Sequence, residues 1–142
     1  MDCLGCRIAK GTEPDVKVVY ENEHLTCVLD IAPFNEGHLL ILPKRHVLDV
    51  DEMDMETAHR IMEASMKLSS IIKRVFHPDG ISICQNGGIF NDLRHYHMHL
   101  IPRYKDDGFS WSEPSSPHDA GDRLSETCDK IVEALIRDGS ET

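Results

Sequence analysis

Apolar runs in the first third of the chain predict three strands. Residues 16–21 are short and rich in β-branched side chains, and residues 24–31 follow after a polar pair, so the two segments predict a β-hairpin. A turn over residues 32–37 leads into residues 38–43, which hold four consecutive aliphatic side chains. Such a run is typical of a strand buried on both faces, and we expect it at the centre of a sheet.

A longer period appears over residues 55–76, where apolar side chains recur mostly at three- and four-residue steps with Glu, Lys and Arg between them. This spacing predicts one long amphipathic helix. We expect the helix to end before Pro78, because proline restricts the residue that precedes it. Asp79 and Gly80 then turn the chain into a strand over residues 81–85.

The last third of the chain predicts one more strand and one more helix. Residues 95–104 alternate strictly at their start, which is typical of a strand, and residues 123–137 return to helical spacing. The order of elements predicts an α+β fold with a mainly antiparallel, five-stranded sheet, one long central helix and a C-terminal helix. With 142 residues, we expect a single domain over residues 1–142, whose final part, residues 105–142, is a loop followed by that helix.

Composition narrows the classes of function. The chain carries 15 Lys and Arg against 25 Asp and Glu, a net charge of −10, so it lacks the basic surface of a nucleic-acid-binding protein. No segment has the apolar length of a signal sequence or a membrane span, and we expect a cytoplasmic protein without membrane contact. Five cysteines, an odd number, argue against a disulfide framework in a reducing compartment and favour metal or catalytic use.

Three histidines at alternate positions are the strongest chemical signal. His95, His97 and His99 share one face of the expected strand, while Tyr96 and its alternating neighbours face the other way. The outer two histidines stand about 13 Å apart along an extended strand, which is too far to share one metal ion. Imidazoles titrate near pH 6.5 and offer nucleophilic nitrogens, so this face suits chemistry at neutral pH.

These residues carry a resemblance to a known family. The segment HYHMHLI over residues 95–101 matches the H-φ-H-φ-H-φ-φ signature of the histidine triad (HIT) superfamily, where φ is hydrophobic. The resemblance covers roughly residues 3–109 and includes PKRH at 43–46 and IPRY at 101–104. It implies a homodimer with a continuous sheet. It also implies a hydrolase or transferase that cleaves at the α-phosphate of a purine nucleotide, acting on adenosine phosphoramidates, acyl-adenylates or dinucleoside polyphosphates.

The resemblance also assigns catalytic roles by position. His97 would be the nucleophile that forms a nucleotidyl-histidine intermediate, which water then resolves. Its other ring nitrogen would be held by a main-chain acceptor. His99 would hold the phosphate or protonate the leaving group.

The nucleotide-binding residues follow in the same way. Asp30 would accept hydrogen bonds from the ribose hydroxyls, and Ile31 would pack on the base. His38 would be a buried histidine behind the site, and Asn86 a polar contact near the phosphate. Without the resemblance, Asp30 is equally an exposed turn carboxylate. Ordinary core packing remains the competing interpretation for Ile31 and His38.

The chain departs from the family pattern just before the triad. Where HIT proteins usually carry Gly-Gln followed by Ser or Thr, this chain reads Asn91-Asp92-Leu93-Arg94, and the loop is about two residues shorter. Asn91 can replace an amide donor to the nucleotide. Asp92 would repel a phosphate unless it is paired or turned away, so the preferred leaving group is the open part of the prediction.

A second cluster begins with Cys3 and Cys6. Two thiolates at this spacing can bind one Zn²⁺, which needs two further ligands for tetrahedral coordination. The resemblance to bacterial HIT proteins supplies His46 and His95, which would make a structural zinc site tethering residues 1–15 to the sheet. A pair of free thiols and a redox pair are the alternatives, the redox pair being disfavoured because no βαβ unit surrounds it.

Two other functions remain open from the sequence. Histidines at positions i and i+2 of a strand can ligate a catalytic zinc, which would make the protein a zinc-dependent metallohydrolase. A non-catalytic nucleotide-binding protein is the other alternative, because a nucleotide pocket can persist without turnover.

Overall fold

Five antiparallel strands form one sheet in the computed structural model, which describes residues 2–115 and 118–139. The strands are β1 (Val18–Glu21), β2 (Leu25–Leu29), β3 (Leu39–Pro43), β4 (Gly80–Cys84) and β5 (Met98–Arg103), in the order β1-β2-β3-β5-β4. The helices are α1 (Leu4–Ala9), α2 (Met55–Phe76) and α3 (Leu124–Arg137). The predicted α+β class, the hairpin and the antiparallel sheet are confirmed.

The middle strand β3 is buried along its whole length, as its aliphatic run predicts. Its alternate side chains enter two cores on opposite faces of the sheet. Leu39 and Ile41 pack with α2, whereas Leu40 and Leu42 pack with α1. The sheet is therefore covered on both faces at its centre, and the face beneath α1 carries the candidate site.

Helix α2 spans the residues that the apolar period predicts. Asp54 caps its start by accepting a hydrogen bond from the Thr57 N–H at 3.0 Å, which satisfies one of the free amides of the first turn. His77 ends it in the left-handed conformation, with φ of 49°, directly before Pro78. The buried face of α2 anchors one side of the sheet through Ile61 and Ile72 among others.

Helix α1 is an element that the sequence pattern did not predict. Its buried residues Ile8 and Ala9 join Val28 on the second face of the sheet. Gly5 lies so close to His95 that a Cβ there would be 2.2 Å from the Cβ of His95, so only glycine fits. Within residues 1–15, the predicted N-terminal tether, the structure has a short helix packed against His95.

Strand β5 begins later than the predicted strand at 95–104. The ladder with β3 ends at the pair Ile41 and Met98. Beyond it, the Pro43 carbonyl accepts a hydrogen bond from the His95 side chain at 2.7 Å instead of from a strand amide. The Tyr96 N–H donates instead to Val47 O at 2.7 Å, so the first two histidines precede the strand.

The chain divides into two compact units, Met1–Phe109 and Ser110–Thr142. The second contains α3, which begins one residue after the predicted start at 123 and follows a short 3-10 turn, Ala120–Arg123. The single domain over residues 1–142 stays a prediction, and its limits at Met1 and residues 140–142 lie outside the described residues. Among the helices described, none combines the length and the apolar character that a bilayer crossing requires.

Candidate active site and metal cluster

A cleft of about 450 Å³ opens on the face of the sheet that carries α1. Its charged and polar lining residues are Glu13, Asp15, Asp30, Asp92, His97 and His99. Its remaining walls are apolar and come from α1, the segment after it, β2 and the residues that follow it, β3, and the loop before the triad: Leu4, Ile8, Pro14, Val16, Val28, Leu29, Ile31, Ala32, Leu40 and Leu93. Two triad histidines therefore face a cleft of the size that binds small ligands, with mainly apolar walls and four carboxylates.

The middle histidine, His97, has one fixed tautomer. Its side chain is only 2% exposed, and its Nδ1 lies 2.8 Å from the carbonyl oxygen of His95. A carbonyl can only accept, so Nδ1 carries the hydrogen and donates it. In the neutral ring, Nε2 then carries the lone pair that a nucleophilic imidazole requires. The Asp92 carboxylate, with Oδ1 3.3 Å from this nitrogen, has to turn aside before the lone pair can reach a substrate.

A chain of hydrogen bonds fixes the tautomer of the third histidine, His99, which is opposite to the tautomer of His97. The Phe34 N–H donates to Nδ1 of His38 at 3.2 Å, so the hydrogen of neutral His38 is on Nε2. His38 Nε2 lies 2.9 Å from Nδ1 of His99 and donates to it. His99 therefore carries its hydrogen on Nε2, so the two histidines that line the cleft hold complementary tautomers: one offers an acceptor and the other a donor.

Both histidines of this hydrogen-bonded chain favour the uncharged form. Burial, together with the neighbouring His97 and His38, lowers the pKa of His99 to about 4, although the charges of Asp30 and Asp92 oppose the shift. Burial also lowers the pKa of His38, and Asp30 opposes that shift. At neutral pH, His99 is thus a neutral hydrogen-bond donor.

Asp30 and Ile31 lie together at the rim of the cleft, just after β2. Asp30 Oδ1 accepts a hydrogen bond from the Ala32 N–H at 2.8 Å, and Oδ2 lies 3.5 Å from His38 Nε2. The loop thus holds this carboxylate beside the histidines. Ile31 is 88% exposed and offers an apolar surface at the mouth of the cleft.

The predicted amide contacts lie elsewhere. Asn86 is exposed, and Asn91 is buried with its Nδ2 donating to Leu48 O at 3.1 Å. Neither side chain lines the cleft, and the Asn91 amide is held by the segment that contains Leu48. Asp92 takes the nearby position instead, with Oδ1 3.3 Å from Nε2 of His97.

Cys3, Cys6, His46 and His95 form a second cluster, with ligand atoms all within 4.8 Å of one another. Nδ1 of His95 lies 3.8 Å from Sγ of Cys3 and 3.5 Å from Sγ of Cys6. Nδ1 of His46 lies 3.2 Å from Sγ of Cys6. The structure brings together the four residues that the sequence proposed as zinc ligands.

The donor set fits zinc. Bonds of about 2.3 Å to sulfur and about 2.0–2.1 Å to nitrogen imply S···N separations of about 3.5 Å around tetrahedral Zn²⁺. His95 donates its Nε2 hydrogen to Pro43 O, which leaves the Nδ1 lone pair facing the thiols. Both the spacing and the tautomer therefore suit a structural zinc with four protein ligands.

A second group of possible ligands, Asp30, His38 and His99, suits a metal less well. A metal on Nε2 of His38 would require the ring hydrogen to move to Nδ1, where the Phe34 N–H already donates. The observed contacts favour a hydrogen-bonded group. They weigh against the metallohydrolase alternative at this end of the triad.

Two parts of the site were missed in the sequence. Helix α1 contributes the cleft residues Leu4 and Ile8, and six residues are too few to show a helical period. The contact between Asp92 and His97 was foreseen only as a repulsion of phosphate. The signal for it was the carboxylate in the shortened loop, whose direction no local pattern reveals.

Comparison with known proteins agrees with the geometry. The model of the HIT domain matches residues 11–106. The chain is 40% identical to Protein hit of Bacillus subtilis, over 76% of each chain. It is 33% identical to the adenosine 5'-monophosphoramidase hnt1 of Schizosaccharomyces pombe, over 84% of this chain and 90% of that one.

One similar solved structure is described as zinc-bound. It is a Zn-bound histidine triad family protein from Mycobacterium smegmatis, 29% identical with a TM-score of 0.71, covering 94% of this chain and 98% of that one. The family match spans all five strands and the triad. The chain belongs to the HIT domain family.

Proposed function

We propose that the protein is a nucleotide-binding hydrolase or transferase that cleaves a phosphoramidate or phosphoanhydride bond at the α-phosphate of a purine nucleotide. The observation that carries this proposal is the pair of complementary tautomers in the cleft. His97 presents the Nε2 lone pair because its Nδ1 hydrogen is bound to His95 O. The similarity to a yeast adenosine 5'-monophosphoramidase supports an adenosine phosphoramidate as a substrate.

In the first step, Nε2 of His97 attacks the α-phosphorus, and a P–N bond forms. The bond to the leaving group breaks, and the leaving group keeps the electron pair and takes up a proton. The Nε2 hydrogen of His99 binds the phosphate or the leaving group during this exchange. Water then attacks the phosphorus and gives a proton to solvent, which replaces the proton that the leaving group took from solvent in the first step. The electron pair returns to Nε2, and the nucleoside monophosphate is released. This covalent route replaces one difficult displacement by two easier ones.

The nucleoside binds along the apolar wall in this proposal. Asp30 accepts hydrogen bonds from the ribose hydroxyls, since a carboxylate offers two acceptors to two donors. Ile31 covers the base at the mouth of the cleft, and His38 holds His99 from behind. The roles of Asn86 and Asn91 in nucleotide binding stay predictions, and neither side chain lines the cleft.

We further propose that Cys3, Cys6, His46 and His95 hold a structural Zn²⁺. A tetrahedral zinc with four protein ligands supplies a cross-link and no open coordination position. It would fasten α1 to the sheet and fix His95, whose carbonyl orients the nucleophile.

Trapping the intermediate tests the proposed reaction. The enzyme is mixed with adenosine 5'-phosphoramidate, quenched within milliseconds to seconds, digested and examined by mass spectrometry. We expect an added adenylate on the peptide that contains His97, and none after His97→Asn. Turnover without any protein-bound adenylate would contradict the covalent route, and tight AMP binding without turnover of any adenylate would favour the non-catalytic alternative.

We also propose a homodimer that extends the sheet. Strand β4 is the last strand on one side, and Ile83 on it is 52% exposed. The open edge of β4 can pair with a second copy of the chain. Met62 and Met66 on α2 are also exposed. We expect light scattering to give twice 16.1 kDa and Ile83→Lys to shift it to the monomer, whereas Ile89→Lys, at an exposed loop position, should not. A monomeric parent protein would contradict this proposal.

A further inference from the structure

The cleft is acidic around the reacting histidines. Four carboxylates line it, and no lysine or arginine is among its lining residues. One of the four, Glu13, is paired with Arg7 Nε at 2.8 Å. The remaining three, Asp15, Asp30 and Asp92, leave the cleft with negative charge, which is an unusual setting for a polyphosphate.

Asp92 is the carboxylate nearest to the proposed nucleophile. Its Oδ1 lies 3.3 Å from Nε2 of His97, and within the described part of the chain no lysine or arginine lies in ion-pair range of it. The neighbours of Asp92 are fixed, because Asn91 is hydrogen-bonded to Leu48 O and Leu93 packs against the core beneath α1. The Asp92 side chain itself is 85% exposed and free to turn.

Asp92 occupies the position that the phosphorus of a substrate would take. A phosphorus in position for attack lies about 3–3.5 Å from the nucleophilic atom, the same range as Asp92 Oδ1. The carboxylate must therefore swing aside when substrate binds. Because its backbone is fixed on both sides, it remains beside the phosphoryl group and the departing group.

The charge of the leaving group then determines whether Asp92 raises or lowers the barrier to breaking its bond to phosphorus. When the P–N bond to an amine breaks, the nitrogen keeps the electron pair, takes a proton and departs as an amine or ammonium. When a P–O bond to a phosphate breaks, the departing oxygen carries further negative charge next to Asp92. Like charges at this distance repel, and an ammonium is attracted.

We propose that Asp92 is a specificity-determining residue that selects leaving groups by charge. It favours amines and ammonium-bearing groups and rejects polyphosphates and other anions. This inference rests on the proposed nucleotidyl-transfer function and narrows its substrates to phosphoramidates and adenylates with a neutral or cationic leaving group.

Two matched substrates test the selection. One is the AMP amide of 1,3-diaminopropane, which carries an ammonium, and the other is the AMP amide of β-alanine, which carries a carboxylate at similar length. We expect the wild-type protein to prefer the cationic amide by about tenfold or more in kcat/KM. Asp92→Asn keeps the shape of the side chain and removes its charge. It should reduce the preference at least threefold, mainly by raising kcat/KM for the anionic amide, and should raise the rate on diadenosine tetraphosphate in the same direction.

The control is Asp51→Asn, which changes the net charge equally at an exposed position outside the cleft. It should leave the preference unchanged. An equal preference in wild type and Asp92→Asn, or equal loss of all activities in Asp92→Asn, would overturn the role of Asp92 while the proposed function stands. Absence of turnover and of a His97 adduct with both amides would instead overturn the proposed function itself.

Discussion

His97→Ala is expected to lower the turnover of adenosine 5'-phosphoramidate by at least about 10³-fold, the scale of loss when a covalent nucleophile is removed. Of the two histidines described above as lining the cleft, the substitution removes the one whose Nε2 carries a lone pair. AMP affinity should change by no more than a few fold, because the apolar wall and Asp30 remain. Steady-state kinetics and calorimetric titration with AMP measure the two effects.

Two further variants separate chemistry from folding. His97→Asn retains an N–H that can donate to His95 O and lacks a nucleophilic nitrogen, so it should be as inactive as His97→Ala and better folded. His59→Ala removes an exposed histidine on α2 and should be fully active. If His97→Asn kept more than a few per cent of wild-type turnover with a native melting temperature, His97 would not be the nucleophile.

Elements with strong local signals were predictable from the sequence. Helix α2 has a full set of them: an apolar period over 22 residues, Asp54 at its start and Pro78 after its end. The sequence predicts β3 at the sheet centre because the side chains of an unbroken aliphatic run point to both faces of the strand, and both faces must then be covered. In both cases the information lies within the segment itself.

Elements that depend on distant partners were not predictable in the same way. Helix α1 is too short to be stable on its own and is held by packing of Ile8 and Ala9 on the sheet. The backbone at His95 leaves the sheet because its side chain, not its amide, bonds to Pro43 O. Such tertiary contacts override the alternation that predicts a strand there.

The candidate site also has features that local sequence signals predict and features that depend on distant contacts. Alternation placed His97 and His99 on one face, and the structure has their ring centres 5.0 Å apart. The tautomers could not be predicted, because they depend on acceptors and donors from other segments, such as Phe34 N–H. The direction of Asn91 was equally hidden, since it is set by Leu48 O, 43 residues away.

Removal of zinc is expected to damage the nucleotide cleft as well as the fold. Helix α1 carries Cys3 at its N-cap and Cys6 in its first turn, and it also supplies the cleft residues Leu4 and Ile8. Chelation, or Cys3→Ser combined with Cys6→Ser, should lower the melting temperature by roughly 10 °C, which corresponds to about 3 kcal/mol for a chain of this size. AMP affinity should fall about tenfold, because one wall of the cleft loosens.

The matched control is Cys84→Ser combined with Cys128→Ser, which removes two thiols outside the cluster. Elemental analysis should find one zinc per chain in this control and in the wild type, and none in the Cys3 and Cys6 variant. A purely structural metal also predicts an order of events: turnover at saturating substrate should decline in step with the melting transition and not at the moment of chelation. Immediate loss of turnover in a protein that still melts normally and still binds AMP would contradict a structural role. It would indicate that the metal takes part in the reaction.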